Sequence, residues 1–407
     1  MNYNIKGQSL LKSTITLPSS KSISNRTLIL NALSGCPQDI QNLSDCDDTE
    51  VLVKALGFEE CDFDIKAAGT AMRFLTALLA TKEGNWTITG TERMKNRPIK
   101  LLVEALRSVG GKIEYMEKEG FPPLRIHGSQ LQGGKISMAG NVSSQYISAL
   151  LMIAPLMKNG LTLQLKGEVV SKPYIHLTIE LMKIFGVDAE WNGATIDIHP
   201  QSYKPVSFTV ESDWSAASYW YEIAALSKVE ITLKGLFENS LQGDSAVARL
   251  FEPLGINTVF TAGGVILKQA DRQTQTMEYD FEDEPDLAQT FVTTCCLLNI
   301  PFHFTGLQSL KIKETDRIEA LKNELRKLGY LLEDSNNSIL TWDGKRCEAE
   351  ATPTIKTYED HRMAMAFAPA ALVRQHGITI ANPEVVSKSY PYYWEDLQKS
   401  GFSIEKV

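Results

Sequence analysis

At 407 residues, 43% hydrophobic and 22% charged, the chain has the composition of a globular protein with sizeable cores and the length of two domains. Its formal net charge of −8 argues against a nucleic-acid or anionic-membrane surface as the main partner, so any local cluster of Lys and Arg is the more informative. The six cysteines show no metal-ligand spacing, residues 1–6 lack the apolar core of a signal peptide, and no segment approaches the ~20 apolar residues of a membrane span; a cytoplasmic protein with reduced thiols is expected.

In chain order, Ser19-Ser20-Lys21-Ser22-Ile23-Ser24-Asn25-Arg26 opens a helix expected over 20–33. Residues 40–43 read as a strand, followed by a polar turn and a helix ending at Gly57. Ala67-Ala68-Gly69-Thr70-Ala71-Met72-Arg73 opens a helix over 69–81, with Thr70 as its expected cap and Gly69 allowing a ligand close to the backbone. No Gly-Lys-Ser/Thr follows, so this is not a nucleotide P-loop. A strand over 86–90 precedes Arg97-Pro98 and a helix ending before Gly110. Ser143-Ser144-Gln145 opens a helix expected over 143–157, and Ser171-Lys172-Pro173-Tyr174 opens one ending at Gly186.

The second half repeats the scheme. Helices are expected over 213–225, 285–298 and 360–373, and further helices end at Gly255, Gly329 and Gly401. Strand, polar turn, helix, Gly, strand thus recurs six times at about 50–75 residues, with Gly at each helix C′ position. The pattern predicts two similar α/β domains of three units each, one over 19–211 and a discontinuous one over 1–18 and 212–407. Their polar turns would face a cleft between them, the usual place for a small ligand.

Nine cations stand at these helix starts or turns: Lys21, Arg26, Arg73, Arg97, Lys172, Lys313, Arg317, Arg362 and Lys388. Each alone is ordinary surface charge. Together, in an acidic chain, they suggest a small substrate carrying several phosphates or carboxylates. The densest stretch is Lys311-Ile312-Lys313-Glu314-Thr315-Asp316-Arg317. With Thr315 as N-cap, Lys313, Glu314 and Arg317 would share the first turn of a helix, whose free N–H groups favour an anion. A carboxylate among cations is what a site needs to move protons beside a bound phosphate. Asp286 and Asp360 are further candidates, and Asp360-His361-Arg362 sets an imidazole beside a guanidinium. No His/Cys/Asp spacing indicates a metal.

These blocks, in order from residue 20 to 391, resemble the 5-enolpyruvylshikimate-3-phosphate synthase family of enolpyruvyl transferases. The others in the set are Met94-Lys95-Asn96-Arg97-Pro98-Ile99, Leu241-Gln242-Gly243-Asp244, Pro285-Asp286 and Ser387-Lys388-Ser389-Tyr390-Pro391. The resemblance implies an α/β fold of two similar domains, each three βαβαββ units around inward-facing helices. It implies transfer of the enolpyruvyl group of phosphoenolpyruvate to the 5-hydroxyl of shikimate 3-phosphate, by addition and elimination, with no metal or cofactor. By the same resemblance Lys21, Ser22, Arg26, Ser143, Ser144, Gln145, Ser171, Tyr174, Asp286, Ser309 and Lys313 would hold shikimate 3-phosphate. Lys21, Gly69, Arg97, Gln145, Arg317, His361, Arg362 and Lys388 would hold phosphoenolpyruvate. Asp286 would be the base and Glu314 the acid, with Lys21 assisting; Asp316 would orient cations and Lys311 stay solvated. A monomer without nucleic-acid or membrane partners is expected. The chain departs from the family at Ala67 (usually Asn), Phe74 (usually Pro) and Ser309 (often Asn). Two alternatives are a transferase acting on UDP-N-acetylglucosamine and a catalytically silent anion-binding protein. The first should carry a Cys or Asp on a mobile loop near Arg97, whereas Thr91-Glu92-Arg93-Met94-Lys95 is short and has no Cys, and Lys313–Arg317 fits the shikimate branch better; the second is disfavoured by intact Lys21, Asp286, Glu314 and Lys388.

Overall fold

The computed structural model describes residues 1–7, 11–57 and 61–407. The chain divides into two compact units, Ser20–Val210 and a discontinuous one made of Met1–Ser19 with Glu211–Val407. Among the described residues, the first holds two four-stranded sheets and a two-stranded one, the second three four-stranded sheets.

The four-stranded sheets share one topology. In the Ser20–Val210 unit, strand Asp62–Asp64 runs through helix Gly69–Thr81 to a parallel neighbour, Gly84–Thr89. Helix Lys100–Ser108 leads on to Lys112–Tyr115 and Leu124–Gly128, which add antiparallel. This is the βαβαββ unit. It recurs from Gly134–Ala139 to Thr195–Ile198 and from Met277–Asp280 to Ile339–Trp342. In the last unit the chain's own start closes the sheet: Asn2–Gly7 pairs with Ile378–Ala381 and with Phe402–Lys406. The sixth sheet is reduced to Ile40–Gln41 parallel to Phe208–Thr209. The strands alternate as half-buried strands must: in Leu161–Lys166 the three leucines are buried while Gln164 and Lys166 face water.

Each unit is built around helices that are buried on nearly every side, as elements enclosed by others must be. Every residue of helix Gly69–Thr81 except Thr81 is buried, and it packs against Ser144–Ile153 and Lys21–Leu33. In the other unit Ala288–Leu297 packs between Trp214–Ser227 and His361–Phe367.

Several helix limits differ from expectation. The helix expected over 143–157 ends at Ile153, and the one expected to reach 373 ends at Phe367; each then tightens into a 3-10 turn containing a proline, Pro155 or Pro369. Proline lacks the N–H for the next helical bond and disfavours the α conformation before it. The helix expected from 285 starts at Ala288, which leaves Asp286 in the preceding turn. Five of the six helix-end glycines take positive φ, but Gly57 stays right-handed at −65°.

Candidate active site

The predicted site residues fall into two sets, one in each unit, and each is built differently. In the Ser20–Val210 unit the set gathers at the starts of helices. Ser20 caps helix Lys21–Leu33, accepting from the Ile23 N–H at 3.4 Å, which leaves Lys21 and Ser22 on the first turn. Lys21 Nζ is 3.9 Å from Asp48. Ser143 and Ser171 are also N-cap residues, yet neither hydroxyl serves its helix as a cap. Ser171 sits at φ +55°, a left-handed strain of about 1 kcal/mol for a residue with a side chain, of the kind concentrated at functional sites.

Arg26 was expected on a substrate anion, and the structure gives it another duty. It is 2% exposed and donates to Thr178 Oγ1 at 2.8 Å, the Ser22 carbonyl at 3.0 Å, Ser148 Oγ at 3.2 Å and the Tyr174 carbonyl at 3.4 Å. Its guanidinium lies over the Phe74 ring at 5.4 Å, so the aromatic departure from the family pattern packs under this group. Burial lowers its pKa to about 10, partly offset by Tyr174, which leaves it charged at neutral pH. Arg26 therefore ties the turns of Ser22 and Tyr174 together.

Arg73 is likewise corrected from ligand-facing cation to staple. It donates to the Gly69 carbonyl and the Pro98 carbonyl, each at 3.1 Å. Tyr146 Oη reaches the same Pro98 carbonyl at 2.5 Å. The staple presses Arg97 onto the glycine: a Cβ on Gly69 would lie 2.5 Å from Arg97 Nη1. Thr70 is no cap, since Ala68 holds that position without a side-chain bond; Thr70 Oγ1 instead accepts from Gln145 Nε2 at 3.1 Å. Gly69, Arg97, Thr70 and Gln145 thus form one anion-suited corner at a helix N-terminus.

In the other unit the set is an ion network. The helix at the charged stretch starts at Arg317, and its cap is Asp316 rather than Thr315, accepting from the Glu319 N–H at 3.1 Å. Lys313 and Glu314 consequently precede the helix instead of sharing its first turn. Lys311 is not merely solvated: its ammonium contacts Asn337 Oδ1 at 2.5 Å and Asp316 at 3.7 Å.

Arg317, 1% exposed, meets three carboxylates: Asp360 at 2.7 Å, Glu314 at 2.9 Å and Asp286 at 3.2 Å. Burial alone would lower its pKa, but Asp360, Glu314 and Asp286 outweigh that and raise it. Arg362 binds the other oxygen of Asp286 at 2.8 Å and donates to Tyr219 Oη at 3.4 Å. Asp286 is therefore held between two guanidiniums. His361 Nδ1 lies 3.8 Å from Asp360. Asp360, read as a candidate acid or base, is a fully buried anchor. It caps its helix through the Arg362 N–H at 2.9 Å while holding Arg317.

Lys313 keeps some exposure, yet desolvation by the surrounding protein lowers its pKa against the pull of Asp286. Lys388 donates to the Glu359 carbonyl at 3.2 Å, and Tyr358 and Glu359 both take positive φ to present that backbone. Ser309 lies in the 3-10 turn Gln308–Ile312. Among the described residues no group of three or more His, Cys, Asp or Glu is arranged to hold a metal ion, and no helix is long and apolar enough to cross a membrane.

Sequence reasoning missed the second rank of this site. Thr178 and Ser148 behind Arg26, and Tyr219 beside Arg362, carry no motif that betrays a role; Asp244 acts electrostatically on the same group. Only Asp244 had a signal, as part of the Leu241–Asp244 block.

The family model described as EPSP synthase (3-phosphoshikimate 1-carboxyvinyltransferase) matches residues 5–59 and 57–397. A 3-phosphoshikimate 1-carboxyvinyltransferase of Bacteroides fragilis (strain YCH46) is 61% identical over 407 residues, covering 100% of this chain and 99% of its own. One of Photobacterium damsela subsp. piscicida is 38% identical, covering 96% of this chain and 97% of its own. Among solved structures, an EPSP synthase from Acinetobacter baumannii superposes with a TM-score of 0.78 at 20% identity, over 100% of both chains, which shows the two-domain enolpyruvyl transferase fold. With a family model spanning nearly its whole length and a full-length relative at 61% identity, the chain belongs to the EPSP synthase family.

Proposed function

We propose that the two sets of residues are the working parts of one carboxyvinyl transfer. The chain is a 3-phosphoshikimate 1-carboxyvinyltransferase: it transfers the enolpyruvyl group of phosphoenolpyruvate to shikimate 3-phosphate, releasing phosphate, in aromatic amino-acid biosynthesis. In our reading Ser22, Ser143, Ser144, Gln145, Ser171 and Tyr174, joined by Ser309 and Lys313, hold shikimate 3-phosphate. Arg26 sets the Ser22 and Tyr174 turns and reaches the ligand with at most one further N–H. Gly69, Arg97, Arg317, Arg362, His361 and Lys388 hold phosphoenolpyruvate, and Lys21 serves both.

The observation that carries this reading is the convergence of Asp286, Glu314 and Asp360 on Arg317, with Arg362 closing on Asp286. Such a network holds both acid–base carboxylates against guanidiniums that suit an anion. When the anionic groups of phosphoenolpyruvate take over part of the guanidinium contacts, Asp286 and Glu314 are released for proton work. Asp286 then takes the proton of the 5-hydroxyl as its oxygen attacks C2 of phosphoenolpyruvate, and Glu314, which takes up a proton from solvent once Arg317 turns to the substrate anion, gives that proton to the methylene carbon. The adduct collapses by the reverse proton path: Glu314 takes a proton back from that carbon as the C–O bond to phosphate breaks, Asp286 returns its proton to the departing phosphate, and the charge that remains is met by Lys21, Arg97, Arg317, Arg362 and Lys388. Asp360 stays on Arg317 throughout and keeps the guanidinium aimed. We further propose that the protein works as a cytoplasmic monomer on these two small molecules, without a cofactor.

The test is phosphate release by purified protein given shikimate 3-phosphate and phosphoenolpyruvate, with UDP-N-acetylglucosamine as the rival acceptor. Release with the first acceptor alone is expected; release with UDP-N-acetylglucosamine alone would overturn the substrate assignment.

A further inference from the structure

Asp244 is a carboxyl that the reaction scheme above leaves unused, in the 3-10 turn Gly243–Ala246. The turn is pinned to the start of helix Trp214–Ser227. Gln242 Nε2 donates to Glu211 and to the Ser212 carbonyl, each at 2.8 Å, while its Oε1 accepts from the Trp214 N–H at 3.1 Å. Asp244 is 5% exposed. One of its oxygens accepts from Ser215 Oγ, and the other is buried with no hydrogen-bond partner among the described residues. Its partner Ser215 stands one helical turn before Tyr219, whose hydroxyl accepts from Arg362 at 3.4 Å, so Asp244 lies on the face of that helix which Arg362 approaches; the charges acting on it are those of Asp286, Arg362 and Asp213. Two of these three belong to the centre of the ion network.

A rigidly held carboxyl in that position has two consequences, one for each proton state. While it is protonated, it carries no charge to draw Arg362 away from the Asp286 carboxylate. Once ionised, it competes for the same guanidinium and repels the Asp286 charge, so a proton on Asp286 becomes more favourable. We propose that Asp244 is a positioning residue for the transfer, an electrostatic partner whose proton state sets how strongly Asp286 draws the proton from the substrate hydroxyl. The proposal rests on the reading of Asp286 as the base. Its switching range is the working range of the enzyme: burial first, and then the Asp286 charge, push Asp244 up to about 7, against the opposite pulls of Arg362 and Ser215.

The experiment is the pH profile of kcat and KM from pH 5.5 to 9 for the wild-type protein, Asp244→Asn, Asp244→Glu and Ser215→Ala, with Asp286→Asn alongside. In the wild type kcat should climb through an inflection near neutral pH. Asp244→Asn, which cannot ionise, should lose the inflection and hold the lower plateau, about tenfold below wild type at pH 8, with both KM values within roughly twofold. Asp244→Glu should restore the inflection, and Ser215→Ala, which deprives the ionised form of a donor, should move it to higher pH. An Asp244→Asn profile that keeps the wild-type inflection overturns the proposal. If Asp244→Asn does not fold, an unmoved inflection in Ser215→Ala overturns it equally. Near-normal turnover in Asp286→Asn would instead remove the base assignment itself, so the two failures are told apart.

Discussion

The two units carry the same βαβαββ architecture but opposite electrostatic designs. In Ser20–Val210 the predicted residues are cations, hydroxyls and an amide at helix starts, and Lys21 has Asp48 at 3.9 Å. In the other unit the cations meet their counter-charges inside the protein: Arg317 holds three carboxylates and Arg362 one. The first design suits a surface that receives an anion through donors left over from capping. The second suits chemistry, because acid–base groups are stored against guanidiniums that an arriving anion also wants. A repeated fold has thus been given two jobs by the residues at equivalent helix starts, which is where function is grafted onto a scaffold.

The largest effect should come from breaking the stored network. Arg317→Leu leaves Asp360, which is 0% exposed, without its guanidinium, and a carboxylate stranded in this way costs roughly 3–5 kcal/mol. Urea unfolding should show that loss together with absent turnover; a variant within about 1 kcal/mol of wild type would mean the cluster is dispensable to the fold.

Glu222 gives the counterpart, a buried acid in the same unit whose neighbours are Thr293 and Thr294 rather than an arginine. Burial raises its pKa well above the ordinary value, with those threonines pulling the other way. The unfolded chain ionises first as pH rises, so stability is full below the ordinary glutamate range and declines as pH climbs towards the raised value. Glu222→Gln should therefore melt close to wild type at pH 4 and above it at pH 8. Parallel melting curves across that range would contradict the buried neutral acid.

In the donor-rich unit the effects should be smaller, with binding weakened rather than the fold. Gly69→Ala drives a methyl into the Arg97 guanidinium, whose end can swing aside, so KM for phosphoenolpyruvate should rise about tenfold, a loss near 1.4 kcal/mol, while KM for shikimate 3-phosphate holds. An equal rise for both substrates would put Arg97 at a shared position. The smallest change is expected of Ser171→Gly. Relief of the left-handed strain should add about 1 kcal/mol of stability while the lost hydroxyl weakens shikimate 3-phosphate. Unchanged shikimate 3-phosphate binding would remove Ser171 from the site.

Much of this was legible because it is local. Ser20 and Asp213 cap the helices they precede, and the glycines at 110, 186, 255, 329 and 401 end theirs in the left-handed conformation. Local signals also misled: Asp316 and Thr315 are both good caps, and the carboxylate won. Pro155 and Pro369 cut helices that apolar pattern alone would have extended. What could not be read was which long side chain spends its donors on protein. Arg26 finds Thr178 at a separation of 152 residues and Arg317 finds Asp360 at 43, choices made by packing rather than by neighbours in sequence. The cations were visible; their division into ligand-facing groups, staples and stored charge was not.

The contrast between a binding set and a proton-handling set is tested most directly on Asp286→Asn, by measuring shikimate 3-phosphate binding at equilibrium and the single-turnover rate on the same preparation. The account predicts a dissociation constant within about threefold of wild type and a rate lower by at least ~10²-fold. A variant that binds far more weakly yet turns over at the normal rate once saturated would contradict it.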